Sequence, residues 1–387
     1  MTQAVVAQTH ESGQAAGEAL AASVLEKLAG TPPHALIVFA SPDQDHRALL
    51  QALKQGCRPE VMVGCSSAGE FTSDEAGVGM TCVVALHAAE MAFAASLGTG
   101  IREDRVAAAE QIVAGFRGLK SAGFRYRSAL VLTDALAGFA DDLIDRLTLL
   151  TGGVYRFFGG GAGDDARFEH TVVFRDTEVT ENAVVALEML SNKPIGIGVR
   201  HGWKPVPERM RVTESAGMTL GSLNAVPAVE VFDAHAAATG QAFDHQEPVP
   251  FFLHNVLGVE SVDGYRLRVP LAVQDDGSVA CAADVPVGST ACIMATTPGE
   301  AAEAAAWSTR AALEQLEGHP PAVAFVFDCV ATRLRLGADF AVELAAVQNE
   351  LGEVPFAGFN TYGQIAQAEG QFNGFHNCTA VVCVLPK

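Results

Sequence analysis

The sequence predicts an α/β protein of layered mixed sheets covered by helices, built from about three degenerate repeats plus a bridging insertion. Two internal matches carry that reading. The stretch Leu25-Glu26-Lys27-Leu28-Ala29-Gly30-Thr31-Pro32-Pro33-His34-Ala35-Leu36-Ile37-Val38-Phe39 lies in gapless register with Leu313-Glu314-Gln315-Leu316-Glu317-Gly318-His319-Pro320-Pro321-Ala322-Val323-Ala324-Phe325-Val326-Phe327, identical at 8 of 15 positions. Each copy reads as a helix end, a glycine stop, a Pro-Pro turn and a buried strand, so one supersecondary unit is used twice. Further on, Val63-Gly64-Cys65-Ser66-Ser67-Ala68-Gly69-Glu70 aligns with Ala357-Gly358-Phe359-Asn360-Thr361-Tyr362-Gly363-Gln364, with both glycines and the terminal Glu/Gln coinciding. A degraded middle copy has its strand at 129–134, its helix at 141–150 and its glycine turn at Phe158-Gly159-Gly160-Gly161-Ala162-Gly163-Asp164.

Taken in order, apolar runs at 4–8, 35–40, 60–64, 80–86 and 91–97 read as strands, with helices over 13–28 and 45–55, and these close the first copy. The middle copy starts with a helix over 105–119, continues through a strand at 128–133, and ends with strands at 170–175, 183–190 and 196–201. Pro205-Val206-Pro207 then breaks the chain. The bridging segment 209–286 has no counterpart in the repeats: a strand at 212–215, a helix over 225–238, and hairpins within 265–284 around Asp275-Asp276-Gly277. The last copy opens at 291, carries a helix over 300–316 and ends in a buried strand at 379–385. The expected division is an N-terminal domain, 1–205, holding two units, and a C-terminal domain, 206–387, holding the bridging segment and the third.

At 387 residues and 49% hydrophobic composition the chain can bury a large core. A net charge of -20 argues against nucleic acid and against an anionic membrane surface, since both need a basic footprint. The start lacks the basic residues of a cleavable signal, and no apolar run is long enough to span a bilayer. Eight cysteines without disulfide spacing suit free thiols in a reducing compartment, so a cytoplasmic location is expected. Edge strands of such layers can pair across a homo-oligomer.

Gly64-Cys65-Ser66-Ser67-Ala68-Gly69-Glu70, Arg200-His201-Gly202-Trp203-Lys204-Pro205, Val285-Pro286-Val287-Gly288-Ser289, Gly358-Phe359-Asn360-Thr361-Tyr362-Gly363-Gln364 and Phe375-His376-Asn377-Cys378-Thr379 together resemble the FIST proteins, over essentially the whole chain, with N- and C-terminal FIST domains. One departure is Gln364, where the motif often ends in Glu. The resemblance implies a bacterial, non-enzymatic sensory module for a small ligand, of the kind that feeds histidine kinases or cyclic-dinucleotide enzymes. A stand-alone chain of this length resembles the subgroup that binds haem b, senses nitric oxide and regulates a separate sensor histidine kinase.

For haem, the iron needs an axial donor against an apolar wall. His201 follows the glycine-alternating run Ile195-Gly196-Ile197-Gly198-Val199, whose glycines leave room for a plate. Trp203 stands two residues on, and Arg200 or Lys204 can pair with propionates. His376 is the competing axial donor, with Tyr362 nearby in sequence, and His254 and His235 are further candidates. The glycine turns, Gly64 with Cys65 and Ser66, Gly159 to Gly161, and Gly358 with Asn360, either present backbone amides to a ligand or merely let packed strands turn. Two alternatives to haem stay open: a haem-free sensor for an amino acid or related metabolite, and a hydrolase using Cys65 or Ser66. The elbow-like turn around Ser66 argues little for the hydrolase, because Asn360 and Phe359 occupy the equivalent positions.

Overall fold

A computed structural model describes residues 2–120, 123–262, 264–368 and 373–387. Among the described residues the strands form three six-stranded sheets and one of nine. The three smaller sheets share one strand order. In the first, Gln3–Thr9, Thr81–His87, Ala35–Ala40 and Val61–Ser66 lie side by side, the last pair parallel and the others antiparallel. The second repeats this with Ala92–Thr99, Ala183–Ser191, Tyr126–Thr133 and Arg156–Gly161. The third does so with Gly196–Arg200, Ala380–Pro386, Pro321–Cys329 and Phe356–Thr361. The opening and closing segments therefore build the same unit, and the middle copy is a third.

Each sheet is completed by a hairpin from a different unit. The first unit's Glu70–Thr72 and Ala76–Gly77 extend the third sheet. The third unit's Gln364–Gln367 and Asn373–His376 extend the second, and the second unit's Val173–Arg175 and Glu178–Thr180 extend the first. The exchange closes into a ring with pseudo-three-fold symmetry. It covers one edge of every sheet, which would otherwise present unpaired backbone groups.

The inner faces of the three sheets meet in one core that includes Phe39, Phe158, Phe325, Phe327 and Phe359, all fully buried. Outer faces are covered by helices. Gly13–Lys27 and His46–Cys57 lie on the first sheet, Arg105–Ala114 and Ala140–Leu150 on the second, and Pro298–Glu314 and Phe340–Leu351 on the third. Burial on both faces explains why the central strands read as unbroken apolar runs rather than alternating ones. Pro298–Glu314 starts where the sequence is most explicit: Thr297 and Glu300 form a reciprocal capping box with Pro298 at the first turn.

Three strands belong elsewhere than local pattern suggests. Ala92–Thr99 opens the second unit instead of closing the first, Gly196–Arg200 opens the third instead of closing the second, and Thr290–Ala295 lies inside the insertion. The insertion is thus the nine-stranded sheet, from Lys204–Pro205 to Thr290–Ala295, with the helix Ala228–Thr239 and its own core around Phe232, Phe251 and Phe252. The expected helix over 105–119 stops at Ala114, and the expected strand at 170–175 is shortened to Val173–Arg175. No helix among the described residues is long and apolar enough to cross a membrane.

Candidate functional site

The glycine turns do come together. Gly64, Gly159 and Gly358 occupy equivalent positions in the third strand of each unit, opposite Val38, Val131 and Val326. A β-carbon there would lie 2.1 Å from the Val38 carbonyl oxygen, 2.1 Å from that of Val131 and 1.8 Å from that of Val326. Only glycine lets the two strands approach so closely. Just beyond, the Ala68 amide donates to the Asn360 carbonyl, the Tyr362 amide to Gly161 and the Gly163 amide to Ser66, each at 3.0 Å. The turns thus close on one another around the pseudo-symmetry axis, and their amides serve protein carbonyls. Cys65 is fully buried with its thiol pushed up by burial, and the Ser66 hydroxyl is tied to the Val172 backbone. Gly160 is packed against Thr361.

The Glu70/Gln364 coincidence also has a structural basis. The Gln364 side-chain amide donates to Thr361 Oγ1 at 2.6 Å, Thr361 Oγ1 donates to the Asp328 carbonyl at 3.1 Å, and the Thr379 amide donates to Gln364 Oε1 at 3.2 Å. Around Glu70 the same clamp recurs: Ser67 Oγ bonds Glu70 and the Ala40 carbonyl, the latter at 2.8 Å, and the Met80 amide donates to Glu70 Oε2 at 3.1 Å. Ser67 has one hydroxyl proton and can donate it only once, so a protonated Glu70 completes the clamp as the Gln364 amide does. Burial pushes the Glu70 carboxyl up to about 8.

His201 lies at the end of Gly196–Arg200 with both ring nitrogens engaged. Nε2 is 2.9 Å from the Tyr265 carbonyl, and Nδ1 faces the Trp203 amide at 3.3 Å. Burial lowers its pKa. The room beside Gly196 and Gly198 is taken by the helix Pro298–Glu314, since a β-carbon at either would lie 1.8 Å from its backbone, at Ala312 or Ser308. Arg200 stacks over Trp307 at 4.5 Å, Lys204 pairs with Glu300 at 2.5 Å, and Trp203 is buried with Leu267, Cys292 and Met294. His376 is enclosed, and burial, then the charges of Arg266 and Arg268, hold its pKa down to about 3. His235 bonds Asn255 Oδ1 at 2.9 Å, and burial lowers His254.

Space for a ligand lies elsewhere, in a cavity of about 300 Å³ between the insertion and the repeat core. One wall is the insertion, with Leu253, Val269, Leu271 and Asp284. Facing it are the second unit's loop and helix start at 135–142, the third unit's Cys329 to Ala331, and Tyr362, Phe375 and Asn377 beside the last hairpin. Phe139 and Phe168 stand at its edge, 44% and 47% exposed, with φ of 58° and 57°. Bulky side chains rarely adopt that backbone, and such strain collects at ligand clamps. Tyr362 stacks on Phe168 with ring centroids 4.5 Å apart, and its hydroxyl donates to Asp164, which also accepts the amides of Phe168, Glu169 and His170 at 2.7 to 2.8 Å. Of the sequence-predicted site residues, Tyr362 therefore lines the cavity, His376 sits between two lining residues, and the glycine trio stays on the axis.

Sequence reasoning missed Phe139, Phe168, Asp141, Asp284 and Asn377. A faint signal existed in Phe168, a large apolar side chain set among charged neighbours in Asp164-Asp165-Ala166-Arg167-Phe168-Glu169. The donor set does not fit haem. Among the described residues lining the cavity are three aspartates and no histidine, lysine or arginine. Tyr362 gives its proton to Asp164, and the Cys329 thiol is hydrogen-bonded to that of Cys378. Carboxylates at the wall would repel propionates.

Fold and cavity together describe a module of repeated units with an inserted domain and a cavity between them. The chain belongs to the FIST family: the FIST N domain matches residues 34–226 and the FIST C domain residues 228–367. Proteins with these domains are sensory, and the chain is a small-ligand-sensing signalling module. It is similar to an uncharacterised protein of Mycobacterium tuberculosis found in two strains, at 24% identity over 95% of this chain and 94% of the relative. Among solved structures it is similar to cyanuric acid hydrolase from A. caulinodans (7% identity, TM-score 0.33, covering 100% of this chain and 99% of that one). It is also similar to T. maritima PurL complexed with AMPPCP (13%, 0.22, covering 100% and 72%). Scores that low bear on neither fold nor activity.

Proposed function

We propose that the protein senses a small, largely apolar ligand held without haem in the cavity between insertion and core, and passes occupancy to a signalling partner. The observation that carries this reading is the pairing of an apolar space with two edge phenylalanines in left-handed backbone, on loops of the second unit. A ligand that binds one arrangement of those loops and the insertion more tightly shifts the population toward it, changing the surface a partner meets. The described cysteines are all free and buried, which supports a reducing, cytoplasmic setting. A histidine kinase as partner is supported by the family alone.

Nitric-oxide sensing through haem b rests on the resemblance, and it would require a donor such as His376 to leave its buried position. Titration of the purified protein with haem, followed by nitric oxide, separates the readings. The cavity reading expects no stoichiometric Soret band. A one-to-one band that shifts with nitric oxide would replace it with the haem reading.

A further inference from the structure

The cavity's polar groups are of one kind, and that bears on what it takes. Asn377 is 3% exposed, its side-chain amide donates to the His376 carbonyl at 3.3 Å, and its Oδ1 has no hydrogen-bond partner. A buried acceptor without a donor is costly, and a ligand donor would relieve that cost once the Asn377 amide turns toward the cavity. Asp141 makes one long ion pair, 3.4 Å, with Arg268; burial raises its pKa, against the pull of the Arg268 and Arg266 charges. The Arg268 guanidinium is otherwise committed to the Asp284 and Leu267 carbonyls at 2.6 and 3.0 Å. Asp142 is satisfied, by Arg105 at 2.9 Å and Arg146 at 3.3 Å. So the wall offers an unpaired amide oxygen and an under-partnered carboxylate, and among its described residues no cationic side chain.

The apolar part of the lining is partly aromatic, with Phe139, Phe168, Tyr362 and Phe375. Ring faces attract cations, and Arg105 already sits 4.1 Å from the Phe139 centroid. At about 300 Å³ the space stands at the lower end of ligand-pocket sizes. We infer that the ligand is a small amine with an apolar, aryl or alkyl body and no carboxylate, its ammonium group donating to Asp141 and Asn377. The inference rests on the cavity being the sensory site and adds the class of molecule. A free amino acid is disfavoured because its carboxylate would face three wall aspartates, while the nearest guanidinium, Arg268, is committed to Asp141 and two backbone carbonyls. Specificity is then built from rejection as well as attraction.

The test uses three molecules on one skeleton, 4-phenylbutylamine, 4-phenylbutanol and 4-phenylbutyrate, titrated calorimetrically into the full chain at neutral pH. The amine should bind at least about tenfold more tightly than the alcohol, and the acid not measurably, since one charge-assisted hydrogen bond in a partly desolvated site is worth that difference. Asp141→Asn should remove the amine's advantage and leave the alcohol unchanged. Asn377→Leu should weaken both, and Asp233→Asn, outside the cavity and paired with His245 at 2.9 Å, should change neither, with thermal melts showing that each variant folds. Equal binding of amine and alcohol, or tighter binding of the acid, overturns the amine assignment while leaving the cavity as the site. No binding by any of the three overturns both.

Discussion

The axis and the cavity are built from the same repeated turn and end in opposite states. On the axis three turns donate amides to one another, and three glycines bring strand against strand. Beneath the insertion the second unit departs from the repeat. Its third strand leads into a longer loop through Asp165, Ala166 and Phe168, all at positive φ, and its second strand into Gly138-Phe139, likewise. The insertion covers these loops and leaves space, an unpaired amide oxygen and an under-partnered carboxylate. Symmetry fills the centre, and its local failure leaves the cavity.

That contrast can be broken most sharply at the axis. Gly358→Ala places a β-carbon 1.8 Å from the Val326 carbonyl, where backbone must move, and should cost more than about 4 kcal/mol or abolish folding. Phe327→Ala, in the core shared by three sheets, should cost about 3–5 kcal/mol. Both are read by urea denaturation. A loss below about 1 kcal/mol in either would mean that the centre is not closed as described.

The clamp at Glu70 sharpens the comparison between the first and third units. Its carboxyl ionises near 4.5 in the unfolded chain and at about 8 when folded. Between those values the folded state binds more protons, so this group lowers stability progressively as pH rises from about 4.5 to 8, and the full cost stands above that. Glu70→Gln should therefore match the parent near pH 4 and exceed it by at least about 2 kcal/mol at pH 8. Denaturation at the two pH values reads the difference, and a gap independent of pH would contradict the clamp. His376 works in the other direction. Its folded pKa lies below the ordinary value, so its neutral burial favours folding at neutral pH, and that contribution fades as pH falls below about 6.5 toward 3.

The smallest expected effect lies at the cavity edge. Phe139→Gly relieves a left-handed backbone, so despite losing a partly exposed ring it should leave stability within about 1 kcal/mol of the parent, while weakening ligand binding. A thermal melt and a titration on the same sample check both halves.

How much of this was legible in the chain follows from the range of the interactions. The repeat showed itself because Leu25 to Phe39 and Leu313 to Phe327 keep local features, a stop, a turn and a buried strand, that packing demands in each unit. Unit boundaries slipped by a strand because Ala92–Thr99 and Gly196–Arg200 pair with strands far along the chain, and no local pattern records that. The hairpin exchange was hidden for the same reason. At the site, the glycines were visible but their role was structural. Phe139 and Phe168 were passed over because positive φ at a large side chain leaves no mark in composition. Asp141 and Asn377 share a cavity wall because the third unit's hairpin extends the second sheet and packs against the helix Ala140–Leu150, a long-range contact that the sequence does not record.

Hydrogen–deuterium exchange on the full chain, alone and with saturating 4-phenylbutylamine, tests the division between closed centre and open cavity most directly. The prediction is that amides around Gly64, Gly159 and Gly358 exchange slowly in both states, while the loops near Phe139 and Phe168 and the insertion strand near Leu271 exchange faster and slow on binding. Fast exchange at the axis, or ligand protection confined to the central strands, would contradict it.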